Sequence, residues 1–190
     1  MNKLKISVSP AMFILLICMS ATTPINQLSA CLIAAFIHEI GHIVAAKLLA
    51  IDLSFMKLDV LGARLSTTGK LYSYPALVTL CLAGPLINFL CFALLFPIIG
   101  AADWLHEFCL ANLSLGILNL IPIEGFDGGR ILHGLMSIVF PITTVERICS
   151  ALSFASLLCM WLLSVWLILR TGSSLTLFVF SCCLFGMLFA

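Results

Sequence analysis

The chain has 190 residues, of which 63% are hydrophobic and only 9% charged. With a mean hydropathy of +1.24, it lies well outside the range of a soluble domain and reads as a membrane protein. The formal net charge of +1 supplies neither a basic patch nor an acidic tail, which argues against a nucleic-acid partner and leaves the lipid bilayer as the principal environment. The nine cysteines fall almost wholly within apolar stretches and without paired spacing, so they read as small apolar residues rather than as a disulfide set.

In chain order, hydropathy divides the sequence into about six spans of bilayer length. The first runs from about Ile6 to Thr23 and the second from about Leu28 to Leu49. A basic amino terminus ahead of an apolar run, with Leu28-Ser29-Ala30-Cys31 beyond it, imitates a cleaved lipoprotein leader. Because Cys31 leads straight into another span instead of a soluble domain, the first span is expected to stay. The interval from Ile51 to Ser73 is the one extramembrane insert. Within it, Phe55 to Val60 and Ala63 to Ser66 predict a short β-hairpin turning at Leu61-Gly62, whose free edge could take up an extended peptide by strand addition.

A third span covers about Pro75 to Ile99. The fourth begins near Trp104, breaks between Asn119 and Asp127, and resumes from Ile131 to Phe140; a fifth spans Val145 to Leu169 and a sixth Leu175 to Phe189. No repeat or low-complexity segment divides the chain, so one domain is expected over residues 1–190 with its core in residues 28–140. The expected fold is therefore an all-α polytopic membrane protein of about six helices, the fourth broken, with a short cytoplasmic-side hairpin. Placing Lys3, Lys5, Lys47, Lys57, Arg64, Lys70, Arg130 and Arg147 in the cytoplasm satisfies the positive-inside rule for every basic residue except Arg170.

Chemistry concentrates in the second span, at His38-Glu39-Ile40-Gly41-His42. Two imidazoles four residues apart on a helix are rotated by about 40° and offset by about 6 Å, so both can face one zinc ion. Glu39 flanks that position, where a carboxylate serves as general base for a metal-bound water whose pKa the ion has lowered to about 7. With His38 about ten residues into a span descending toward the cytoplasm, the metal is expected in the cytoplasmic half of the bilayer.

The break in the fourth span is the second informative region. Pro122 lacks an amide hydrogen and clashes with the preceding turn, while Gly125, Gly128 and Gly129 let the chain reverse before the helix resumes. Unwound backbone at membrane depth persists only where it is buried in protein or lines a wet cavity. Asp127 opens the renewed helix, where it serves either as a helix cap or as a carboxylate partner for the two histidines. Asn119 and Asn88 are candidate donors to substrate or to an oxyanion, or else plain interhelical hydrogen bonders. His106 and His133 read as structural.

The strings FIHEIGH (Phe36–His42), AGPLIN (Ala83–Asn88) and NLIPIEGFDGGR (Asn119–Arg130) occur in the order and on the spans that resemble the site-2 protease family of intramembrane zinc metalloproteases. The likeness is closest to its bacterial stage IV sporulation protein FB type, without the PDZ or CBS domain that other members carry. It implies His38, His42 and Asp127 as the ligands of one zinc ion per chain, Glu39 as the base, and Asn119 with Pro122 as the Asn-Pro element ahead of the Asp-Gly pair. Phe126 stands where the family commonly has leucine. The implied activity is hydrolysis of a peptide bond within or near a transmembrane helix of a membrane-protein substrate, in a multi-pass protein of a bacterial cell membrane. The competing classes are a membrane metal transporter, which would show a path of ligands, and an inactive adaptor, which would lack the glutamate or a ligand.

Overall fold

A computed structural model describes residues 5–8, 16–17, 19–21, 23–51, 53–59, 62–67, 73–171 and 175–188. Strand β1 (Lys5–Val8) is followed by helix α1 (Ile25–Leu48), strands β2 (Leu53–Asp59) and β3 (Gly62–Thr67), and helix α2 (Tyr74–Leu95), which runs on into a 3-10 segment (Phe96–Ala101). Helices α3 (Asp103–Leu120), α4 (Asp127–Met136), α5 (Ile142–Thr171) and α6 (Leu175–Leu188) complete the chain.

The expected fold class of six spanning helices with a lone hairpin does not hold. Among the described residues, three helices are long and apolar enough to cross a membrane: Ile25–Leu48, Tyr74–Ala101 and Ile142–Arg170. At 1.5 Å per residue, the 14 residues of α6 reach only about 21 Å and the 10 of α4 about 15 Å, both short of a hydrocarbon core of about 30 Å. Helix α3 has 18 residues, but Asp103, His106, Glu107, Asn112 and Asn119 dilute its apolar character. Half of the expected first span, residues 9–15, 18 and 22, lies outside the described residues; its beginning is strand β1, not helix, while residues 16–17 and 19–21 are helical. That strand pairs in parallel with β2, and β2 pairs antiparallel with β3. The insert therefore belongs to a three-stranded sheet of order β1-β2-β3. Hydropathy could not foresee this, because the pairing joins segments nearly 50 residues apart. Of the expected turn at Leu61-Gly62, Leu61 lies outside the described residues and Gly62 is the first residue of β3.

Small side chains set the close approach of the first helices. The buried residues of α1 are Ala30, Ala34, His38, Gly41, His42, Ala45 and Ala46. Spaced three and four apart, they form one stripe, with the two histidines in its middle. Ala30 and Ala34 pack against Phe108 and Ala111 of α3, and Ala45 and Ala46 against Leu80 of α2. In lipid, where apolar surface gains nothing by leaving water, such small-residue contacts and interhelical hydrogen bonds are what hold helices together.

The chain leaves α3 through an extended Ile121 (ψ 137°) and Pro122, then turns at Gly125, whose φ of 101° an L side chain rarely adopts. Helix α5 secures this loop. Ser153 Oγ accepts the Glu124 amide hydrogen at 2.7 Å and faces the Pro122 carbonyl at 3.4 Å. Ile123 and Phe126 are buried against Leu157 and Met160 of α5 and Leu184 of α6. The pair α5–α6 thus braces the segment that delivers Asp127.

Truncating this brace should be costly, by about 2–5 kcal/mol for a buried leucine cut to alanine. Leu157→Ala is expected to lower the thermal midpoint of the detergent-purified protein. Leu152→Ala, on the same helix but 39% exposed to lipid, should leave the midpoint near that of the parent protein; equal midpoints for both variants would contradict the packing described.

Candidate metal centre

Helix α1 offers the imidazoles of His38 and His42 from one buried stripe, and the two rings meet edge to face with centroids 4.8 Å apart. Asp127 is the first residue of α4, preceded by the extended Phe126, and the helix dipole at that position favours the ionised carboxylate. All three side chains are buried, with 4–5% of each residue exposed. His38 Nε2 lies 3.0 Å from Asp127 Oδ2, His42 Nε2 lies 3.1 Å from the same oxygen, and the two Nε2 atoms are 3.1 Å apart.

The far nitrogens decide what these atoms can do. His42 Nδ1 lies 2.8 Å from the Leu80 carbonyl oxygen, which can only accept, so Nδ1 carries the hydrogen. His38 Nδ1 lies 2.6 Å from Asn88 Oδ1 and likewise donates. In each neutral ring Nε2 is then a bare lone pair. Two lone pairs and a carboxylate oxygen facing one another at 3.0–3.1 Å repel unless a cation lies among them.

A divalent zinc ion fits this donor set. Two imidazole nitrogens and one carboxylate are the ligands of a three-residue catalytic zinc site, and tetrahedral bonds of about 2.0–2.1 Å place neighbouring donors about 3.3 Å apart. Among the described residues, His38, His42 and Asp127 are the one group of three or more histidine, cysteine, aspartate and glutamate side chains close enough to hold a metal.

Glu39 follows His38 on α1 and is half-buried. Asn88 is fully buried. Its oxygen accepts from His38, and its amide hydrogens go to the Ala34 carbonyl at 3.2 Å and Asn112 Oδ1 at 2.9 Å. No donor of Asn88 remains for a substrate or an oxyanion, so the geometry gives it an orienting contact with His38 instead. Asn119 donates to the Leu115 carbonyl one turn back on its own helix at 3.1 Å and is not brought to the three ligand atoms.

Sequence reading missed Asn112 and Ser153. The signal for Asn112 was an amide in an apolar helix seven residues before Asn119, which places both on one face.

Gly84 is where α2 crosses the histidines. A Cβ there would lie 2.5 Å from His42 Nε2 and 2.7 Å from His38 Nε2. Leu80, Gly84 and Asn88, at four-residue spacing, thus give one face of α2 a carbonyl for His42, an open space, and an amide for His38. Gly84→Ala should strip zinc from the purified protein, measured as metal per chain. Gly100→Ala, where a Cβ meets nothing within 4 Å, should retain the full complement.

Parts of the chain are similar to known proteins. Residues 97–163 match the model of peptidase family M50. A zinc metalloprotease of Methanocaldococcus jannaschii is 29% identical over 117 residues, covering 55% of this chain and 32% of the relative. The chain thus aligns with about a third of the length of that relative. The fold is similar to that of the site-2 protease from Methanocaldococcus jannaschii, with a TM-score of 0.68 and 22% identity over 93% of this chain and 88% of that one. The chain is thus similar to peptidase family M50 over residues 97–163 and shares its fold with a site-2 protease.

Proposed function

We propose that this chain is an intramembrane zinc metalloendopeptidase that hydrolyses a peptide bond within or near a transmembrane helix of a membrane-protein substrate. One observation carries the reading: three hydrogen-bond acceptors, from α1 and α4, converge without hydrogens between them inside a polytopic membrane protein. His38, His42 and Asp127 are the residues that would hold the zinc ion. When bound, zinc supplies Lewis-acid polarisation of the scissile carbonyl and lowers the pKa of its water to about 7.

The remaining work falls to side chains of this protein. Glu39 takes a proton from the attacking water as the new carbon–oxygen bond forms. It then delivers that proton to the departing amine nitrogen as the carbon–nitrogen bond breaks. Leu80 and Asn88 keep both imidazoles turned with Nε2 inward throughout. Burial of the site in protein limits access by bulk water, which strengthens each electrostatic contact there. The break between α3 and α4 gives an unwound segment beside the site, in keeping with a cavity that admits a peptide whose own helical hydrogen bonds have opened.

The distribution of lysine and arginine supports placing the site in the cytoplasmic half of the membrane. The three sequence strings support the sporulation-type subdivision of the family. An inactive adaptor would lack the glutamate or one of the ligands, and here all four residues are present.

The test is Glu39→Gln. The variant should retain one zinc per chain while cleavage falls by at least the ~10²–10⁴-fold that general acid–base catalysis supplies. The readout is the set of membrane-protein fragments in cells carrying the parent chain, compared with cells carrying the variant. Fragments seen only with the parent name the substrate. Undiminished cleavage by the variant would remove Glu39 as the base.

A further inference from the structure

A line of amides runs from the metal centre into α3. His38 Nδ1 donates to Asn88 Oδ1 at 2.6 Å, Asn88 Nδ2 donates to Asn112 Oδ1 at 2.9 Å, and Asn112 Nδ2 donates to the Phe108 carbonyl at 2.8 Å. Asn88 and Asn112 each have 0% exposure. Three helices are joined by one chain of hydrogen bonds, all pointing the same way.

The direction is not arbitrary. The Phe108 carbonyl can only accept, so the amide nitrogen of Asn112 must face it, and this turns Oδ1 of Asn112 toward Asn88. The nitrogen of Asn88 is then drawn to that oxygen and to the Ala34 carbonyl, which leaves Oδ1 of Asn88 toward His38. An acceptor at that position requires a hydrogen on Nδ1 of His38. The consequence appears across the ring, where Nε2 is bare and aimed at Asp127 and His42. Were Asn88 to flip, its NH₂ would face Nδ1, the ring hydrogen would move to Nε2, and a hydrogen would fill the position a metal needs.

We propose that Asn112 is a positioning residue for the metal centre: acting through Asn88, it selects the His38 tautomer that presents Nε2 to the ion. Aligned hydrogen bonds polarise one another, so the same chain raises the basicity of His38 Nε2 as a ligand. His42 has a single backbone acceptor in the equivalent place. The two ligands are therefore oriented by different devices, and only that of His38 reaches α3. This inference rests on the metal-centre reading above.

The experiment uses the full chain in detergent, with zinc affinity measured by competition against a chelator. Asn112→Leu, similar in size but without the acceptor, should weaken zinc binding by about 10- to 100-fold, the range for loss of a residue that orients a ligand. Asn112→Asp keeps the Oδ1 acceptor and, as the neutral acid, a donor for the Phe108 carbonyl; it should restore the parent affinity, which a purely packing role would not explain. Nitrogen-15 spectra of histidine-labelled, zinc-free parent protein should show the neutral His38 ring with its hydrogen on Nδ1. A hydrogen on Nε2 there, or equal zinc affinity in the parent and Asn112→Leu, overturns the proposal and leaves the metal centre intact. Failure of the parent protein itself to bind zinc overturns the metal-centre reading and this inference with it.

Discussion

Three acceptors held within about van der Waals contact of one another, inside a protein that is itself inside lipid, constitute the constraint on which the rest of the structure depends. His38 Nε2, His42 Nε2 and Asp127 Oδ2 lie 3.0–3.1 Å apart. The backbone carbonyl of Leu80 and the amide of Asn88 direct the ring hydrogens outward. In a low-dielectric interior, a carboxylate and two lone pairs so arranged are stable only around a shared positive charge. The same requirement explains why two histidines and an aspartate occur in apolar sequence at all, where an uncompensated ionisable residue at a span centre costs about 2.5–3.5 kcal/mol on insertion scales.

Packing follows from that demand. For the rings to reach Asp127, α1 and α2 must cross closely at the level of the site. Gly84 leaves the space into which both Nε2 atoms project, and Gly41 on the opposing helix sits against the Ala83 carbonyl, where any Cβ would press within 2.7 Å. Alanines continue the close contact above and below. The aspartate arrives by another route, on a helix that starts in mid-molecule after a proline and a left-handed glycine. Gly128 and Gly129 let α4 sit directly on the carbonyls of Leu120 and Ile123. Because this segment has few internal hydrogen bonds, it is held from outside, by Ser153 and by the apolar cluster that joins α5 and α6 to Ile123 and Phe126. Helices that contribute none of the three side chains thereby determine where Asp127 stands.

Much of the centre was legible in the chain, and the reason is local geometry. His38 and His42 share a face because a helix returns to nearly the same angle every four residues. Pro122 and the glycines after it announce a break, since proline cannot donate in the ladder. Asp127 gained its role from proximity to that break and from the family likeness. Asn88 was read in two ways, and the structure shows its donors committed to Ala34 and Asn112. Whether an amide bonds substrate or a neighbouring helix depends on what faces it, and no spacing within one helix reveals that. The count of spans failed for a related reason. Apolar composition does not distinguish a helix that crosses lipid from one of 10 or 14 residues that rests against other helices.

The sequence alone determined the membrane setting, the helical register of the two histidines and the position of the break, because each depends on residues a few positions apart. Tertiary structure alone decided the rest. It brought Asp127 across 89 residues to His38, paired β1 with β2, and set the amide line from His38 through Asn88 to Asn112. These contacts join segments far apart in the chain, and their existence depends on how the helices pack rather than on the residues that flank each one.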